Sequence, residues 1–140
     1  MVRKNKLFIA SDHRGYPLKT FLLRDFPLID LGPFSDESVD YNDFAKLLVE
    51  KMTPEDQGIL ICYSGLGMSM AANRNPKARA ALTTTPDLVK LAREHNDANI
   101  LVLPGTLEGQ VAKNLVEIFL ETPFSNQARH RQRVEKLFSC

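Results

Sequence analysis

Gly58-Ile59-Leu60-Ile61-Cys62-Tyr63-Ser64-Gly65-Leu66-Gly67-Met68-Ser69-Met70-Ala71-Ala72-Asn73 is the stretch from which the rest of the chain can be read. It starts as an unbroken apolar run of strand length, passes through Cys62 into a Ser/Gly turn, and continues in small, helix-tolerant residues. That order predicts a buried parallel strand, a tight loop with closely spaced backbone N–H groups, and a helix start. Ligands of open α/β sheets bind at the carboxyl ends of such strands. Loop N–H groups and a helix N-terminus there favour anionic oxygens and the thiolate form of a cysteine. The thiol of Cys62 is therefore expected at the mouth of the sheet, as the reaction centre.

The flanks repeat the pattern. Lys6–Ser11, Leu28–Gly32, Ala78–Thr83 and Asn99–Leu103 read as further strands. Helices are expected over Tyr16–Phe26, from Asp40-Tyr41 to Met52, from Thr85-Pro86 to about His95, from about Leu107 to Leu120, and over Ser125–Phe138. Pro17 suits a first helical turn, and Thr85 with Pro86 forms an N-cap and N1 pair. Strands alternating with helices imply an α/β fold, a three-layer α/β/α sandwich around a five-stranded parallel sheet of Rossmann-like type. At 140 residues the chain fits a single domain, 1–140. Its net charge of +1 gives no electrostatic case for nucleic acid. No apolar run approaches the roughly 20 residues that cross a membrane. The basic start, Met1-Val2-Arg3-Lys4-Asn5-Lys6, precedes a run too short for a signal peptide. Two cysteines without a framework spacing point to a reduced, cytoplasmic protein.

Chemistry-bearing residues fall in three places. Asp12-His13 follows the first strand, and Cys62 to Gly67 follows the third, on the same rim. His95-Asn96-Asp97-Ala98-Asn99 precedes the fifth strand and so lies toward the opposite edge; if His95 meets Cys62, it arrives from a second subunit. Arg129 and Arg133, four apart on a helix, share a face and suit a phosphate. Each also has a plainer reading. Cys62 can be an inert core cysteine, and Ser64 an N-cap rather than a hydroxyl donor to substrate. Gly65 and Gly67 can serve the turn alone, Asp12-His13 can cap the first helix, and His95 can complement a helix C-terminus. The arginines can be a solvated basic face. No zinc spacing, Walker motif or dinucleotide fingerprint is present.

Taken in order, Ser11-Asp12-His13-Arg14-Gly15 with Leu18-Lys19, Asp30-Leu31-Gly32, Asp40-Tyr41, Gly58–Cys62 through Gly67, Ala71-Ala72-Asn73, His95–Asn99 and Arg129-His130-Arg131-Gln132-Arg133-Val134 resemble the ribose-5-phosphate isomerase B family, which includes galactose-6-phosphate isomerase subunits. The resemblance spans nearly the whole chain. It implies interconversion of an aldose phosphate and its ketose through an enediolate, without metal or cofactor. It implies Cys62 as base, ring opening by His95 helped by Ser64, and phosphate binding by Arg129, Arg133 and His13. Asp12, Tyr41 and Asn96 match sugar-contacting positions, and Tyr63, Gly65, Leu66 and Gly67 line the same loop. A site shared between subunits of a homodimer or dimer of dimers is implied as well.

The chain departs from the family pattern in places. Tyr63 replaces a glycine, from which a bulkier loop and a narrower pocket are expected; Ser64 replaces threonine and keeps the hydroxyl. Asn42 replaces a proline, and Gln127-Ala128 a glycine pair. Leu103-Pro104-Gly105-Thr106-Leu107 is one residue short and lacks an arginine near Thr106 that commonly holds phosphate. The expectation is ribose 5-phosphate to ribulose 5-phosphate isomerisation. The rivals are a six-carbon sugar phosphate such as allose or galactose 6-phosphate, and a catalytically silent sugar-phosphate-binding subunit.

Overall fold

A computed structural model describes residues 5–140; the basic Met1–Lys4 segment lies outside the described residues. Five strands and six helices follow in chain order: β1 (Leu7–Ser11), α1 (Tyr16–Leu23), β2 (Ile29–Asp30), α2 (Tyr41–Lys51), β3 (Gln57–Cys62), α3 (Leu66–Ala72), β4 (Ala80–Leu82), α4 (Pro86–Asn96), β5 (Ile100–Pro104), α5 (Gly109–Glu121) and α6 (Ala128–Leu137). The strands form one parallel sheet in the order β2-β1-β3-β5-β4.

Alternation along β3 divides the core in two. Ile59 and Ile61 face a layer holding Leu18 and Leu22 of α1, Val89 of α4, and Leu115 and Phe119 of α5. Leu60 and Cys62 face the other layer, with Ala45, Leu48 and Val49 of α2 and Met68 of α3. This is the expected three-layer α/β/α arrangement, with β3 at its centre. Among the described residues no helix is long and apolar enough to cross a membrane.

The edge elements are shorter than expected. β2 has two residues and β4 three, because each pairs on one side only. α1 stops at Leu23, short of Phe26. Thr85 caps α4 as expected, its hydroxyl accepting from Leu88 N–H, whereas α5 starts at Gly109 because Glu108 caps it by accepting from the Gln110 and Val111 amides. On the outer side of β4 the Asn73 side-chain amide takes both backbone groups of Ala80, donating to its oxygen at 3.0 Å and accepting from its nitrogen at 2.9 Å.

Lys19 of α1 is 1 % exposed. Its ammonium donates to Asp30 Oδ1 at 2.7 Å and to the Pro33 carbonyl at 2.6 Å. Asp30 Oδ1 also accepts from Gly32 N–H. One buried charge therefore ties α1 to the loop that leads from β2 toward α2. Removing one member of such a pair leaves the other uncompensated. Lys19→Met is expected to lower stability by about 2–3 kcal/mol, read from urea unfolding; an unchanged midpoint would show that the ion pair contributes nothing net.

Candidate active site

The carboxyl ends of β1 and β3 carry the first group of residues. Asp12 is buried, and its Oδ1 accepts from the Arg14 and Gly15 amides, both at 2.9 Å. It thus caps the approach to α1, and its Oδ2 is left for another donor. His13 Nδ1 accepts from Val39 N–H at 3.2 Å. That bond puts the ring proton of a neutral His13 on Nε2, which becomes the donor. Tyr41 opens α2, and its ring lies so close to Gly67 that a Cβ there would sit 2.6 Å from Cζ.

Cys62 ends β3 at the carboxyl edge of the sheet, as expected, but it is more covered than expected. Its side chain is 4 % exposed, packed toward Leu60 and Met68 rather than open at the mouth of the sheet. Alternation along β3 turns position 62 into the α2–α3 layer, whereas Tyr63 lies past the end of the strand, where neither helical layer covers it, and is 54 % exposed. The Cys62 carbonyl accepts from Gly105 N–H at 2.7 Å, holding the loop after β5 against the same turn. The cap of α3 also differs. Gly65, at φ +81°, is the cap residue, and a Cβ there would lie 2.5 Å from Leu82 Cδ1. Ser64 lies one residue earlier and is exposed, its Oγ accepting from Leu66 N–H at 3.2 Å. Its O–H proton stays free to donate.

His95, Asn96, Arg129 and Arg133 form a second group, all exposed. β3 and β5 pair in parallel from Gly58↔Ile100 to Cys62↔Pro104. His95, five positions before Ile100, therefore belongs at the Gly58 end, about 13 Å of strand from Cys62. Within one chain the two groups do not meet. α6 packs along α4, and the His95 and His130 rings lie 4.2 Å apart. His130 is 4 % exposed and shares a 2.6 Å hydrogen bond with Ser125 through Nδ1.

The backbone under His95 is held by groups that the sequence reading missed. Asp97, in the left-handed region at φ 46°, ends α4. Arg93 donates to Asp97 Oδ1 at 2.9 Å, to the Ala98 carbonyl at 2.7 Å and to the Thr122 carbonyl at 3.0 Å. Arg79 donates to the Asp97 carbonyl at 2.7 Å. The i,i+4 spacing of Arg93 and Asp97 was a legible signal; the long-range contacts of Arg79 and Thr122 were not.

Residues 7–137 match the ribose/galactose isomerase family model. The chain belongs to that family. Ribose-5-phosphate isomerase B of Escherichia coli is 34 % identical, with 94 % of this chain and 93 % of the relative aligned. Among solved structures, a ribose 5-phosphate isomerase of Thermotoga maritima superposes with a TM-score of 0.90 at 43 % identity, covering 99 % of this chain and all of the other. Ribose-5-phosphate isomerase B of Mycoplasma genitalium, solved with bound ribulose-5-phosphate, gives 0.88 at 36 % identity, covering 99 % and 97 %. The family and fold expected from the sequence therefore hold.

Burial, and then the nearby charges of His95, Arg129 and Arg133, hold His130 below its ordinary value of 6.5. Unfolding exposes a histidine that takes up a proton more readily, so stability is complete above about pH 6.5 and declines as pH falls below it. The melting temperature of the native chain should drop more between pH 7.5 and 5.5 than that of His130→Gln; equal drops would remove His130 as the cause.

Proposed function

We propose that the chain interconverts ribose 5-phosphate and ribulose 5-phosphate through an enediolate, in an active site shared between two copies of the chain. The observation that carries this reading is the bound ribulose-5-phosphate in the Mycoplasma genitalium relative, whose fold matches along nearly the full chain. The opposite-rim placement of Cys62 and His95 supports a shared site, and so do the exposed Leu66 and Met70 on the helix that follows Cys62. A homodimer, or a dimer of such dimers, completes both groups at once. Free Cys62 and Cys140 fit a reducing, cytoplasmic setting.

In this mechanism His95 of a second copy takes the anomeric hydroxyl proton of the cyclic aldose and returns one to the ring oxygen, assisted by the Ser64 hydroxyl. Ring opening leaves an aldehyde at C1. The Cys62 thiolate then removes the C2 proton, and the C–H electrons form the C1–C2 double bond as charge develops on O1. Backbone N–H groups of the Ser64–Gly67 turn, those of Gly65 and Gly67, stabilise that charge, while the Leu66 N–H orients the Ser64 hydroxyl. Cys62 returns the proton to C1 while the O2 proton passes to O1, giving the ketose. A covered thiol keeps water away from the enediolate. Arg129 and Arg133 of the second copy bind the phosphate with His13 Nε2–H, and Asp12 Oδ2, Tyr41 and Asn96 contact sugar hydroxyls. Tyr63 bounds the pocket on its outer side. No residue of this scheme is assigned to a metal or cofactor.

Incubation with ribose, allose and galactose phosphates, followed by NMR, tests the reading. Ribulose 5-phosphate formation supports it; turnover of a six-carbon substrate alone favours the neighbouring specificity, and binding without turnover a silent subunit. Cys62→Ala should lower kcat by about 10²-fold or more with KM little changed, whereas Arg133→Ala should mainly raise KM, by about tenfold. A Cys62→Ala variant with native kcat would eliminate the thiol as base.

A further inference from the structure

Arg14 is exposed at the rim where the β1–α1 and β3–α3 turns meet, and the mechanism above gives it no task. Its guanidinium lies over the Tyr63 ring, 4.3 Å from the centroid. Tyr63 directly follows Cys62, so the stack places a cation over the turn that carries the thiol. Two further contacts fix where Arg14 starts. Its N–H donates to Asp12 Oδ1, and its carbonyl lies against Gly105, where a Cβ would come within 2.7 Å. Three loops, those after β1, β3 and β5, thus converge on this one residue. Among the described residues the guanidinium makes no ion pair with a carboxylate.

A guanidinium stacked on an aromatic face keeps its N–H edge free in the plane of the stack, and that edge fits two oxygens of a phosphate. The same stacking removes much of the side-chain freedom that an exposed arginine would lose on binding. His13, whose Nε2–H donor is set by Val39, is its neighbour in sequence. We propose that Arg14, held by Tyr63, is a phosphate-binding residue of the Cys62-bearing subunit and acts beside His13. It supplements the arginine pair brought by the second copy. Tyr63 is then a positioning residue as well as a wall of the pocket. This deepens the isomerase reading and rests on it for the identity of the substrate.

The test uses the full chain and two probes, inorganic phosphate followed by titration calorimetry and ribose 5-phosphate followed by turnover. Arg14→Met should weaken inorganic phosphate about tenfold or more and raise KM by a similar factor, with kcat changing far less. Arg14→Lys, which keeps the charge and loses the planar fork, should fall between Arg14→Met and the native chain. Tyr63→Ala should reproduce part of the loss, and the double variant should be no worse than Arg14→Met alone, because the two side chains act as one unit. Native phosphate affinity and KM in Arg14→Met overturn the proposal, as do strictly additive losses in the double variant. Loss of phosphate affinity in Arg14→Met, in a chain that turns over no ribose 5-phosphate, keeps Arg14 and removes the isomerase reading. Turnover with an unchanged KM does the reverse.

Discussion

The parallel pairing of β3 with β5 is the constraint on which the rest depends. With Gly58 opposite Ile100 and Cys62 opposite Pro104, the turn that follows β3 is at one rim, and the α4 terminus and turn that lead into β5 are at the other. A parallel sheet permits no alternative, since a one-residue shift would turn Ile59 and Ile61 out of their layer and put Leu60 and Cys62 in their place. The hydrophobic pattern that builds the core thus also separates the thiol from His95. A site that uses both Cys62 and His95, as proposed for this chain, draws them from two copies because of how the sheet is paired.

Around that frame, polar contacts rather than apolar packing shape the rim. Asp12 gathers two amides, His13 receives a third from Val39, Ser64 holds Leu66, and Gly105 bonds to Cys62. The Asp12, His13 and Ser64 contacts each give a backbone N–H its partner while setting the direction of a side chain, and the Gly105 bond ties two turns together. At the far rim Arg93 and Arg79 do the same for the α4 terminus through Asp97. Both groups of candidate residues therefore stand on segments with few free backbone donors, which suits sites that must hold their geometry without a ligand.

Much of this was legible in the sequence because two signals were local. The apolar run from Gly58 to Cys62 and the Ser/Gly turn after it determine strand, turn and helix without reference to the rest of the chain. The order of strands and helices then places Asp12 and Cys62 on one rim and His95 on the other. The depth of Cys62 is not legible in the same way, because an unbroken apolar run does not show that α2 and α3 close over its last residue. The ends of β2 and β4 were overextended because an apolar pattern does not reveal which strands are at an edge. Contacts spanning large sequence separations, such as Arg93 with Thr122 or Arg14 with Tyr63, leave no periodic trace at all.

At the outer margin of β4, the carboxamide of Asn73 occupies both main-chain groups of Ala80 and mimics a peptide unit of a sixth strand. Unpaired margins invite strand addition and aggregation. At Ala80 the ladder is therefore already filled by a side chain, and a neighbouring strand would have to displace it to pair there.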